Sequence, residues 1–180
     1  MALTSVQIGA IGENLLVNAV MKASAGRLSP FQPIADDDGL DVLFYDKVTG
    51  NSVAIQLKCR TVTIKNSYTG KYGNTVHFQV RQATFNEARR TYLVAALLKD
   101  ELTQFAATWF IPMALLPTIG KGTNQGHWVI RPSKSATSAD RFSAYRCMTP
   151  EELACRVVSV CEGHVPEAVA ILDPTPFQGA

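Results

Sequence analysis

Four side chains raise the question of chemistry: Glu13, Asp41, Gln56 and Lys58, the last two flanking Leu57 in the run IQLK. Two carboxylates, an amide oxygen and an ammonium suit phosphodiester hydrolysis assisted by a divalent cation. Hard oxygen ligands hold Mg2+. The cation polarises the phosphoryl group and lowers the pKa of a water, and a lysine orients that water and offsets the charge that builds on phosphorus. Without cation and polyanion, two carboxylates pressed together repel, and one takes up a proton. Singly, each residue also has a plainer role: a solvated helix glutamate, a strand-start aspartate, and a wet strand face carrying Gln56 and a snorkelling Lys58.

The elements around them must decide. Val53, Ile55 and Leu57 alternate with Ala54, Gln56 and Lys58, the period of a strand with one face in a core. Residues 42–45 form a strong strand, and the turn KVTGN (47–51) returns the chain antiparallel. Asp41 then lies near Gln56 and Lys58 if all three share a face. A first helix starts at Thr4, where TSVQ has the form of a capping box, and runs to about Ala23. Ile8, Ile11, Leu15, Leu16, Ala19 and Val20 make one apolar face with Glu13 at its border. Gly9 and Gly12 mark a turn that something approaches closely.

Further along, the pattern predicts a short edge strand over 31–34, a turn at DDDG (36–39) and a mobile loop or hairpin over 61–74. Strands are expected over 76–80, 92–98, 105–111 and 128–130, and a helix over 84–90. Residues 112–124 read as irregular and 132–140 as a polar loop. Thr149-Pro150-Glu151-Glu152 starts a last helix that Gly163 ends. Residues 1–164 read as one domain, and 165–180, with three prolines, as a tail or arm.

A chain of 180 residues that is 47% hydrophobic and 18% charged can build a substantial core, which excludes a disordered or fibrous protein. No apolar run reaches the length of a membrane span, and the first residues lack the pattern of a signal peptide, so a cytoplasmic location is expected. Cys59, Cys147, Cys155 and Cys161 read as free thiols, and the last three with His164 lack the spacing of a zinc site. His77 and His127 read as structural, and GKGT (120–123) lacks the full phosphate-loop pattern. The net charge of +2 is small but segregated. Residues 28–46 carry five aspartates and no Lys or Arg, whereas residues 56–90 carry seven basic residues against Glu87 alone. Such an arrangement can hold a cation beside a polyanion, or can be two ordinary solvated surfaces.

In order and spacing, Glu13, Asp41 and Gln56-Leu57-Lys58, on a helix followed by a β-hairpin, resemble the PD-(D/E)XK nuclease superfamily. The branch most similar is that of the archaeal Holliday-junction resolvases and Mrr-type restriction enzymes. GAIGE (9–13) is similar to the glycine-then-glutamate opening of their first helix, and DDDGLD (36–41) to their D-G-x-D lead into the second strand. The resemblance implies an α/β, restriction-endonuclease-like fold: a mixed β-sheet flanked by helices, with an αβββαβ core. It implies Asp41 as the bridging metal ligand, Glu13 as an outer or second ligand, and the Leu57 backbone carbonyl completing the shell. It makes Lys58 the water-positioning lysine. Gln56 stands where a second acid is usual, and Leu40 where the name-giving proline often sits. Active members resembling the Mrr type carry Q-x-K, although a neutral amide binds Mg2+ less strongly than a carboxylate. Asp38 is a candidate for the missing charge.

The expectation is therefore a DNA endonuclease dependent on Mg2+ (or Mn2+), working in repair, recombination or defence, as a homodimer or within a larger complex. Arg60, Lys65, Lys71 and Arg81, with Tyr68 and Tyr72, are candidate nucleic-acid contacts. Two other readings stand beside it. Gln56 favours a nuclease fold that binds nucleic acid without cutting it. A protein-interaction domain would use residues 109–116 and the C-terminal arm as its contact surface.

Overall fold

Helix α1 (Ser5–Ala23) begins where the capping box places it. Thr4 Oγ1 accepts from the Gln7 N–H, and Gln7 Oε1 accepts from the Thr4 N–H. The stripe it buries is narrower than its apolar face, comprising Gly12, Leu16 and Val20 at four-residue spacing. This computed structural model describes residues 3–34, 39–85 and 89–164. The aspartates 36–38 and the arm 165–180 lie outside them.

The strands follow as β1 (Leu28–Phe31), β2 (Val42–Asp46), β3 (Ser52–Arg60), β4 (Phe78–Arg81), β5 (Thr91–Leu98) and β6 (Phe105–Pro112). A single turn of helix, α2 (Leu116–Ile119), precedes β7 (Lys121–Gly122), β8 (His127–Ile130), β9 (Arg146–Cys147) and helix α3 (Pro150–Cys161). Six strands form the central sheet in the order β1-β2-β3-β5-β6-β9, with β3 and β5 parallel and every other neighbour antiparallel. A second sheet, β4-β8-β7, is antiparallel throughout.

Two cores result. Helices α1 and α3 cover one face of the central sheet over Phe44, Val53, Ile55, Leu57, Val94 and Phe110. The small sheet covers the opposite face over Leu93, Ala95, Leu97, Trp109 and Ile111. Strand β5 is covered on both faces, so its sequence is a continuous apolar run without alternation. Fully burying a leucine or phenylalanine contributes about 1.5–3 kcal/mol, and both cores hold several such residues at 0% exposure.

Several expectations are corrected. The edge strand is β1, three residues earlier than predicted, with Pro30 inside it opposite Phe44. Proline needs no ladder donor at an edge. The helix expected over 84–90 is absent where the chain is described. A 3-10 turn at Gln82–Thr84 gives way to an extended Phe85 (φ −84°, ψ 131°), and residues 86–88 lie outside the described residues. Among the described residues the β3-to-β5 crossover is therefore a hairpin, strand β4 and that turn. Residues 113–115 form a 3-10 turn that leads into α2. The contact surface assigned to residues 109–116 is core: Trp109, Phe110, Ile111 and Leu116 are 0% exposed. Among the described residues no helix is long and apolar enough to cross a membrane.

Candidate active site at one end of the central sheet

The start of β2 and the latter half of β3 lie together. Pairing of Val42 with Ile55, carried one step further, sets Asp41 opposite Gln56. There the ladder changes character. The Asp41 N–H donates to the Ile55 carbonyl at 2.9 Å, and the Leu57 N–H donates to Asp41 Oδ2 at 2.5 Å. A side-chain carboxylate thus takes the place of a backbone acceptor, which fixes where its oxygens sit.

Gln56 is 3% exposed, and its Oε1 has no hydrogen-bond partner among the described residues. Leaving a buried polar atom unsatisfied costs about 1–3 kcal/mol. Its Nε2 lies so near Gly39 that a Cβ there would come within 2.5 Å, and Gly39 also holds φ +68°. Only glycine meets both demands.

Glu13 comes in on α1. A Cβ added to Gly12 would lie 2.2 Å from Cys59 Sγ and 3.4 Å from Leu57 Cδ2, so the helix backbone rests directly on β3. Burial pushes the Cys59 thiol up to about 12, and the negative charges of Asp41 and then Glu13 add to the shift. Both carboxylates are therefore close enough to act on one thiol. Strand alternation sends Leu57 and Cys59 toward α1, and Gln56 and Lys58 toward the small-sheet side, in register with Leu93 and Ala95. Glu13 approaches β3 from one face, Gln56 and Lys58 lie on the other, and Asp41 stands at the margin between them. Lys58 is half-buried.

The candidate nucleic-acid residues separate into two groups. Lys65 and Lys71 lie on a hairpin over 61–75, tied by Ile64 N–H to the Thr75 carbonyl (2.7 Å) and Asn66 N–H to the Lys71 carbonyl (2.8 Å). Its tip presents Tyr68 at 98% exposure, and Lys65 Nζ lies 5.9 Å from the Tyr72 ring centre. Arg60 instead reaches across to β4, its Nε donating to the His77 carbonyl at 3.0 Å, and Arg81 ends that strand. Pattern reading missed Gly39 as a contact of the site, although its place after three aspartates was a visible turn signal.

Among the described residues, no three His, Cys, Asp or Glu side chains are grouped to hold a metal. A cation at this site would draw on amide and carbonyl oxygens as well as carboxylates. The cysteine-histidine cluster in the sequence is dispersed: Cys147 and Cys161 are buried and Cys155 is exposed. A cavity of about 560 Å³ lies elsewhere, between α1, β6 and the start of α3, and Glu151 is its one carboxylate. None of Glu13, Asp41, Gln56 and Lys58 lines it.

The fold recurs in a solved structure. The chain is similar to a bacterial homing endonuclease, I-Ssp6803I, with a TM-score of 0.57 and 17% identity over 90% of this chain and 99% of that one. At that identity the likeness is one of fold: the mixed sheet flanked by helices is an architecture shared with that endonuclease. No protein-family profile and no curated protein matches the sequence.

Proposed function

We propose that the chain is a Mg2+-dependent (or Mn2+-dependent) endonuclease that hydrolyses phosphodiester bonds in DNA, in repair, recombination or defence. One observation carries the reading. The Asp41 carboxylate and the buried Gln56 Oε1, which has no hydrogen-bond partner among the described residues, lie opposite each other, with Lys58 two residues on, in a chain whose fold is shared with a nuclease.

These residues fit a hard cation. Mg2+ keeps several waters and takes one or two carboxylates with neutral oxygens, and a buried amide oxygen without a donor among the described residues is available as such a ligand. Asp41, Gln56 and the Leu57 carbonyl would hold the ion, and Glu13, arriving from the α1 face, would serve as an outer ligand at the sheet margin. When bound, it would polarise the phosphoryl group and favour ionisation of water near neutral pH. The Leu57 N–H fixes the Asp41 carboxylate. The Lys58 ammonium positions the attacking water and offsets the charge that grows on the phosphate oxygens. Gln56 supplies oxygen without charge, which leaves Asp41 and Glu13 as the anions.

Cleavage of linear, branched and single-stranded DNA, assayed with and without Mg2+, tests the reading. Wild type should cut at least one substrate in a metal-dependent way, and Lys58→Ala should lose that cutting while melting normally. Undiminished cleavage by Lys58→Ala and Asp41→Ala would remove the mechanism. The neutral Gln56 favours a second reading, a module that binds nucleic acid without cutting. Titration calorimetry with Mn2+ separates the two, because only a competent site takes up the cation.

A further inference from the structure

We infer that the outward face of the small sheet is a surface that reads a groove of duplex DNA. This inference rests on the reading of the chain as one that acts on DNA. The even-numbered residues Val76, Phe78, Val80, Trp128 and Ile130 point into the second core. By alternation, the register from Phe78 opposite Ile130 to Arg81 opposite His127 turns the odd ones outward. The outer face therefore carries His77, Gln79 and Arg81 on or beside β4, and His127, Val129 and Arg131 on or beside β8. Lys121 of β7 stands opposite Val129.

Chemistry selects the partner. Among the described residues the face bears Arg81, Lys121 and Arg131, all exposed, and Asp140 is the carboxylate beside them. No Asp or Glu occurs anywhere between Asp46 and Glu87. The face continues through Arg60, whose Nε is bonded to the His77 carbonyl, and Arg131 and Arg60 both hold the His77 imidazole's pKa down after burial itself. Neither Arg81 nor Arg131 forms a side-chain hydrogen bond or ion pair among the described residues, so both guanidiniums are uncommitted. A groove of about 360 Å³ beside β8 has Lys121, Arg131 and Arg141 on its walls. Asp140, its one carboxylate, accepts from the Ser133 N–H, the Ser138 hydroxyl and the Phe142 N–H.

Shape agrees with charge. A two-stranded β-ribbon fits the major groove, and β7 is only a two-residue stub on the β4–β8 ribbon. Residues 77–81 span about 14 Å, roughly four base-pair steps. Arginines near both ends can grip phosphate or guanine, and the exposed Gln79 between them suits an adenine edge. Since Arg60 ends β3 two residues beyond Lys58, the face is continuous in the chain with the candidate active site. Arg131 and Lys121 lie outside the basic run of the sequence, and only strand pairing brings them here.

The test is fluorescence anisotropy of the full chain on a random-sequence 30-base-pair duplex in EDTA, over a range of salt. The Arg81→Gln/Arg131→Gln double variant is compared with a Lys22→Gln/Lys47→Gln control of equal charge, and circular dichroism checks that both are folded. The expected result is binding at least ~10-fold weaker for the first pair, with a salt slope reduced by about 2, and near-normal binding for the control. In selection from randomised duplexes, Gln79→Ala should relax the preferred base at one position. Equal weakening by both doubles, no weakening by the first, or a wild type that does not bind duplex overturns the inference. The nuclease reading fails separately. Lys58-independent cleavage, or no cleavage, combined with duplex binding that depends on Arg81 and Arg131 leaves this surface standing without that chemistry.

Discussion

At its hairpin end, strand β2 carries an aspartate that is fully buried and fully engaged, and at its other end one that is half-buried and set beside an unpartnered oxygen. Asp46 accepts from Arg27 through Nε and a terminal nitrogen, both at 2.8 Å, from the Val48 N–H at 3.0 Å and from the Thr49 hydroxyl at 2.9 Å. Arg27 also donates to Glu162 at 2.8 Å, and Asn51 Nδ2 donates to the Cys161 carbonyl, so the end of α3 is tied to the same turn. Both Asp46 carboxylate oxygens thus have donors. At the opposite end, Asp41 takes the Leu57 N–H while Gln56 Oε1 beside it takes no donor from the described residues. A strand of five residues thus separates stabilising polar chemistry from polar chemistry that is suited to a ligand. A fully satisfied ion pair locks the fold, and an oxygen left without a donor has capacity for a cation.

That contrast can be broken by experiment. The largest effect is expected at the site. Lys58→Ala or Asp41→Asn should lower cleavage at least ~100-fold, with a melting curve like that of wild type. Asp46→Ala should do the reverse. It should cost about 3 kcal/mol of stability, as removal of one partner of a buried pair does, and leave cleavage per folded molecule unchanged. If Asp46→Ala loses activity while folded, or Lys58→Ala melts early, the two ends are not separable.

The pH dependence sharpens the same point. Arg27 holds the Asp46 carboxyl well below the usual carboxylate range. The stability it contributes is fully present above the unfolded value, about pH 4, and is lost as pH falls through the lowered folded value. Denaturant unfolding of wild type against Asp46→Asn should therefore show a constant gap from pH 7 to pH 5 and a narrower one at pH 3.

A smaller effect is expected where helix and strand touch. Gly12→Ala should cost about 2 kcal/mol by overpacking, because its Cβ would meet Cys59 Sγ at 2.2 Å. Cys59→Ala should recover most of that cost, and a double-mutant cycle reads the coupling. Additive losses would show that the close approach does not set the position of α1 and Glu13. The smallest effect belongs to Tyr68 at the hairpin tip. Tyr68→Ala should leave the melting temperature unchanged and weaken single-stranded DNA binding about 5-fold, with Tyr68→Phe near wild type.

Much of this was legible locally. The caps of α1 and α3 appear in the structure where the sequence shows them, since a cap is made within four residues. The β2–β3 hairpin was readable from alternation and from Gly50, which holds φ +76° in its turn. The edge strand expected over 31–34 begins earlier and takes in Pro30, because proline tolerance depends on whether the strand is an edge. Asp46 was read merely as part of an acidic run, yet its partner Arg27 stands one residue before that run begins. Its other tie, through Arg27 to Glu162, bridges 135 positions.

By itself the sequence determined which residues could do chemistry, which segments would be strands or capped helices, and that a carboxylate precedes β2 while an amide and a lysine share a face of β3. Those features are written in residue type and in periods of two to four. The tertiary structure alone decided the parallel pairing of β3 with β5, the side from which Glu13 arrives, the small sheet that gathers Arg81, Lys121 and Arg131, and which polar groups find partners. Pairing between distant segments leaves no local signature, because the free energy that selects it comes from burial and hydrogen bonds that exist only once the chain has closed on itself.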